Sequence, residues 1–158
     1  MSVKNEEFKA ALSRFASGVT VVTTRDNIGK LHGLTVSAFC SVSLDPPLVL
    51  ICIEKVTGSH YAVAESGEFT VSILSESQAS WSEHFATELA NKFEEIATIE
   101  TSNGLPAIND ASAVLECKIR YAHDGGDHTI FVAEVENVVV TDHTPLLYFR
   151  GSYRKLQA

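Results

Sequence analysis

The sequence predicts a mainly β protein, an antiparallel barrel that carries a few peripheral helices. Two observations lead there. Apolar and polar residues alternate over 69–73 and 115–121, where Leu115, Cys117, Ile119 and Tyr121 interleave with Glu116, Lys118 and Arg120, the mark of half-buried strands. Segments with helical spacing are few and are inserted among the strands rather than alternating with them, which disfavours a doubly wound parallel sheet.

Taken in order, Phe8, Ala11, Leu12 and Phe15 fall at i, i+3, i+4 and i+7, so residues 6–16 are expected to form an amphipathic helix, ended by Gly18. Residues 19–24 are β-branched throughout and predict a strand. Asn27-Ile28-Gly29 supplies a turn, and residues 31–39 return as the second strand of a hairpin. Pro46-Pro47 cannot donate ladder hydrogen bonds, and the apolar run over 48–52 reads as a buried strand. Ser59 as cap and Gly67 as stop bracket a short helix. After the strand at 69–73, Trp81 and Phe85 share one face of a helix over about 77–90, with Glu83 and Glu88 outward. Gly104, Pro106 and several polar residues make 94–110 a loop with fragments of structure. The strand at 115–121 leads into the turn Asp124-Gly125-Gly126-Asp127, a long strand over 129–140 and a short last strand at 147–149. No linker, repeat or low-complexity segment divides the 158 residues, which predict one domain spanning 1–158.

Hydrophobic content of 45% with 20% charged residues is ordinary for a soluble globular chain. A net charge of −8 argues against nucleic acid and against an anionic membrane. No apolar run is long enough to span a bilayer, and the N-terminus lacks the apolar core of a signal peptide. Cys40, Cys52 and Cys117 form no CxxC pair, which fits reduced thiols in a cytoplasmic protein. His32, His60, His84, His123 and His143 show neither HExxH nor paired Cys/His spacing, so no metal site is expected.

The chemistry centres on Gly33-Leu34-Thr35-Val36-Ser37-Ala38-Phe39. Thr35 and Ser37, two apart on an extended strand, face the same side, and Gly33 admits a close neighbour. Hydroxyls and free N–H groups beside a buried sheet can hold a phosphate or the polar edge of a flat ring, although a Thr-x-Ser pair also serves simple cross-strand bonding. There is no GxGxxG between strand and helix and no GxxxxGK[ST], so the usual nucleotide loops are missing. Ser37, His128 and Asp127 lack the GxSxG context of a hydrolytic triad. Taken by themselves, Lys55 and Lys92 read as solvated charges, Tyr153 as a core or dimer-interface aromatic, and His128 as a surface turn residue.

Four segments recur in an order that resembles the short-chain flavin reductases, the small reductase components of two-component flavin-dependent monooxygenases. They are residues 14–24, His32-Gly33-Leu34-Thr35-Val36-Ser37-Ala38-Phe39, Ser41-Val42-Ser43-Leu44-Asp45-Pro46-Pro47-Leu48-Val49 and Gly126-Asp127-His128-Thr129-Ile130-Phe131. The likeness runs from about residue 8 to the C-terminus. It implies a split β-barrel of the FMN-binding, Greek-key type, a homodimer, and NAD(P)H-dependent reduction of FMN or FAD for a separate monooxygenase. It further implies a flavin slot lined by Thr35, Val36, Ser37 and Ala38 on one side and by the backbone of Cys52, Ile53 and Glu54 on the other. Lys55, Thr57 and Lys92 would lie near the ribityl phosphate. His128 would border the flavin and the nicotinamide as an orienting N–H donor, with Asp127 fixing its tautomer, and Tyr153 would pack on the flavin edge. Hydride transfer needs no general acid, so the role given to His128 is positional. Two alternatives keep the same barrel: a flavin-binding electron carrier without nicotinamide activity, and a non-enzymatic dimer that binds another ligand.

Overall fold

A computed structural model describes residues 2–157. Its elements in chain order are α1 (Asn5–Leu12), β1 (Ser17–Gly18), β2 (Thr20–Arg25), β3 (Leu31–Val36), β4 (Phe39–Leu44), β5 (Pro47–Glu54), α2 (His60–Ser66) and β6 (Glu68–Ile73). There follow α3 (Ala79–Phe85), β7 (Thr98–Glu100), β8 (Pro106–Ile108), β9 (Ala113–Gly125), β10 (His128–Val140), β11 (Leu147–Phe149) and β12 (Ser152–Arg154).

The main sheet has seven strands in the order β3-β2-β6-β9-β10-β5-β4, every neighbouring pair antiparallel. Its two edge strands, β3 and β4, are joined only by Ser37 and Ala38. In a flat sheet those edges would stand about 29 Å apart, six strand spacings. The link from Val36 to Phe39 reaches roughly 11 Å fully extended. The sheet must therefore curl until its edges meet. Leu34 and Val36 of β3 consequently share one buried core with Val49, Ile51 and Ile53 of β5, Phe69 and Val71 of β6 and Phe131 of β10. No ladder pairs β3 with β4 among the described residues, so the curl is barrel-like with a seam at Ser37-Ala38. A second cluster lies outside the sheet, where Phe85, Leu74, Ile108 and Leu146 pack with Val19 and Val21.

The mainly β class stands as expected, with differences in the elements. The second hairpin strand stops at Val36 instead of running to residue 39, because the chain leaves β3 at the seam. The helix expected over 77–90 is only Ala79–Phe85; Thr87 Oγ1 donates to the His84 carbonyl at 2.7 Å and Lys92 Nζ to the Phe85 carbonyl at 3.1 Å, closing its end. Within 94–110 the hairpin β7–β8 forms around Gly104, whose φ is +77°. Gly67 stops α2 in the left-handed region at φ +72°, whereas Ser59 makes no side-chain cap bond. Helix α1 is shorter than expected and buries none of its residues: Phe8 is 55% exposed and Leu12 56%, while Phe15, just beyond its end, is 82% exposed.

Two buried carboxylates fasten loops to this frame. Asp26 accepts from the Ile28 and Lys30 amides and pairs with His32 Nε2 at 2.9 Å; the bond from His32 holds its carboxyl below the usual range. Burial pushes Glu116 up, but bonds from the Ser102 hydroxyl (2.5 Å) and amide, from Asn137 Nδ2 (2.9 Å) and from the Asn103 amide outweigh it, so its carboxyl also titrates low. A carboxyl with a depressed folded value stabilises fully above the ordinary carboxylate range and loses that contribution as pH falls through the folded value. Glu116→Gln should therefore cost about 1–3 kcal/mol at neutral pH and flatten the acid limb of the stability curve. Urea unfolding from pH 3 to pH 7 measures both, and an unchanged acid limb would refute the assignment.

Candidate functional site

The seam arises because β3 must end where the curl closes, and it is where main-chain groups come free. Ala38 accepts from the Cys52 amide at 3.0 Å and Ser37 from the Phe39 amide at 2.9 Å. The amides of Ser37 and Ala38 themselves donate to no protein acceptor among the described residues. The ladder then carries the site across three adjacent segments. Cys52 lies beside Ala38, Ile53 is opposite Thr129, and Glu54 is opposite His128. Strand geometry sets His128 about 12 Å from Ala38, two strand spacings across and two residues along. One flat ligand can bridge them.

Thr35 and Ser37 do share a side. With Val19, Ser82, Ala86, Tyr148 and Tyr153 they line a cavity of about 250 Å³. Thr35 Oγ1 donates to the Ser82 carbonyl at 2.6 Å, and Tyr153 OH to Ser82 Oγ at 2.8 Å, so α3 is tied both to β3 and to β12. Val36 and Ile53 bury their side chains in the core, which leaves only their main chain for the seam. Cys52 is half-buried, and burial, with the neighbouring Cys40, pushes its thiol up.

Lys92 opens on a second cavity, about 190 Å³, whose lining includes Gly33, His32, Gly58, Ser59, Tyr61 and Glu88. Its ammonium donates to the carbonyls of Gly33 (2.9 Å) and Phe85 (3.1 Å), and burial lowers its pKa. Of its three N–H donors one is left for the cavity. Lys55 and Thr57 are turned elsewhere: Thr57 Oγ1 donates to the Glu54 carbonyl at 3.0 Å, and Lys55 Nζ contacts Asp124 and the Gly126 carbonyl.

His128 is the first residue of β10, set by the turn Gly126-Asp127 with Gly126 at φ +78°, and its side chain is 40% exposed. Its Nδ1 lies 2.6 Å from Asp127 Oδ1. The bond from His128 holds the Asp127 carboxyl low, so the carboxylate accepts and Nδ1–H donates; Nε2 is left for whatever occupies the open side.

Sequence reasoning missed Ser82, Ala86 and Tyr148, because they join the site from α3 and β11 without any motif. Gly58, Ser59 and Tyr61 were legible only as a helix start. Gly33 was read as a point of close approach, and the neighbours are the Phe85 and Phe93 rings: a Cβ there would sit 2.6 Å from Phe85 Cε1 and 2.9 Å from Phe93 Cζ.

Comparison with known proteins places these features in context. Residues 12–157 match the family model described as flavin reductase like domain. The chain is 40% identical over 147 residues to the reductase component of a 4-nitrophenol 4-monooxygenase/4-nitrocatechol 2-monooxygenase of Rhodococcus opacus, covering 93% of this chain and 78% of that protein. It is 39% identical to an NADH-dependent flavin reductase of a Rhodococcus species, covering 94% and 85%. Among solved structures, flavin reductase PheA2 superposes with a TM-score of 0.91 at 38% identity over 99% of this chain and all of the other (100%). The Streptomyces globisporus NADH:FAD oxidoreductase SgcE6, in complex with NAD and FAD fragments, gives 0.93 at 33% identity over 99% and 97%.

Gly33→Ala should force the two rings apart and cost about 1–3 kcal/mol, the usual penalty for overpacking. Chemical denaturation tests this; an unchanged midpoint would mean that the rings move freely.

Proposed function

The chain belongs to the flavin reductase like domain family, and from that premise we propose how its own residues serve the reaction. It is an oxidoreductase that reduces FMN or FAD with NADH or NADPH and supplies reduced flavin to a partner monooxygenase. A flavin, when bound, supplies an acceptor for the hydride of reduced nicotinamide.

The residues present fit such a ring. The unpaired amides of Ser37 and Ala38 donate to its polar edge, with the hydroxyls of Thr35 and Ser37 beside them. The main chain of Cys52, Ile53 and Glu54 walls the other side, one strand away. Lys92, with Gly58 and Ser59 around its cavity, receives the ribityl phosphate; a lysine already held by two carbonyls presents its remaining N–H in a fixed direction. Tyr153, tied to Ser82, packs at the ring edge. His128 stands over the open side, its imidazole fixed by Asp127, and its Nε2 orients the nicotinamide. The observation that carries this reading is the ladder register, which sets seam, β5 wall and His128 turn side by side.

The assembly follows the same logic. The uncovered face of α1, with Phe8, Leu12 and Phe15, is covered by a second copy of the chain, making a homodimer. The cytoplasm is its compartment, in keeping with three free thiols. No helix among the described residues is long and apolar enough to cross a membrane.

Mixing the protein with NADH and free FMN should bleach the NADH absorbance band. Bound yellow flavin without turnover would leave the carrier reading instead. His128→Ala should raise the KM for NADH about three- to tenfold, one lost hydrogen bond, while flavin affinity stays within about twofold. Equal losses of both would defeat the orienting role. Sedimentation should give the mass of two chains, and a persistent monomer would defeat the α1 interface.

A further inference from the structure

We propose that Lys55 is a positioning residue that holds the histidine turn, acting with Asp124 and not as a ligand of flavin phosphate. Lys55 meets this turn three times. Its amide donates to the Asp127 carbonyl at 2.9 Å, its Nζ donates to the Gly126 carbonyl at 2.6 Å, and the same ammonium pairs with Asp124 Oδ1. These contacts bracket the turn from the last residues of β9 to the residue before His128. The turn contains Gly126 in a left-handed conformation next to Gly125, so its own backbone does little to restrict it.

The side chain also lies outside the cavity proposed for the phosphate. Lys55 lines neither the cavity that contains Lys92 nor the one beside Thr35, and two of its three N–H donors are engaged at the turn. Asp124 responds accordingly, its carboxyl held low by the bond from Lys55. The geometry couples β5, which walls the flavin slot, to the residue that faces the nicotinamide, because Glu54 opposite His128 is the residue just before Lys55. Lys55 lies between the two and fixes their relative position. Both partners are exposed, so the effect is modest and screened by salt.

This inference rests on the orienting role of His128, and the test separates the two. Steady-state kinetics and flavin titration are run on the full chain carrying Lys55→Met, Lys55→Arg, His128→Ala and the Lys55→Met/His128→Ala double change. Lys55→Met should raise the KM for NADH about three- to fivefold, leaving affinity for both FMN and riboflavin within about twofold. Lys55→Arg, which keeps the charge and donors, should recover most of the loss. In the His128→Ala background, Lys55→Met should add nothing. Weaker binding of FMN with riboflavin unaffected would show a phosphate ligand and overturn the proposal, as would full additivity with His128→Ala. Harmless Lys55→Met beside a damaging His128→Ala would refute the clamp alone. A harmless His128→Ala would refute the reading on which the clamp rests.

Discussion

Everything in this molecule follows from a two-residue link. Ser37 and Ala38 join strands at opposite ends of a seven-stranded sheet, and a link that short forbids a flat sheet. Curling brings β3 and β5 over one core, and burial of Val36, Ile51, Ile53 and Phe131 there rewards the closure. The same closure leaves the two amides of the link without protein acceptors among the described residues. Amides free for a ligand are thus a by-product of the geometry that makes the core.

Much of this fold was legible and some was not, for physical reasons. The β-branched run of β2 and the alternation of β6 and β9 carry strong local signals. The alternation misled about burial in β6, where Thr70 and Ser72 are as buried as Phe69 and Val71 because the second cluster and the β7–β8 hairpin cover the sheet's other face. Strands β1, β7, β8 and β12 have two or three residues each, too few for a period to show, and form through the partners they pair with. Helix α1 shows the opposite failure. Its apolar rhythm is real, but a rhythm tells only that a face wants cover and not that the same chain provides it.

The site divides in the same way. Thr35 and Ser37 could be set on one side from their spacing, and the turn before His128 from its glycines. What no spacing could give is register: that Glu54 faces His128, that Cys52 reaches Ala38, or that α3 brings Ser82 between Thr35 and Tyr153. Lys55 is instructive because resemblance sent it to the phosphate, whereas its own contacts are with the hairpin turn that opens the adjacent strand. Lysine is long enough for either, and the proposed clamp rests on the position of Asp124 and the Gly126 carbonyl.

A slot made at a seam would be soft unless something else held its walls. Here hydroxyls do so. Thr20 Oγ1 donates to the Val36 carbonyl at 2.6 Å, closing the last acceptor before the link, and Thr35 donates to Ser82 on α3. Thr23, buried in β2, donates to the Pro106 carbonyl at 2.6 Å, fastening the β7–β8 hairpin to the sheet's outer face. His60 Nε2, 2.8 Å from Thr129 Oγ1, ties the start of α2 to β10 beside His128. Each bond is worth only about 0.5–1.5 kcal/mol net. Their value lies in direction, since a short hydroxyl on a strand has one rotamer freedom to lose and a fixed acceptor to meet. The Ser37 and Ala38 amides are therefore held in place before any ligand arrives, and under the proposed reading a site so preorganised needs little rearrangement to admit a flat ring on one side while leaving the other side open to its hydride donor.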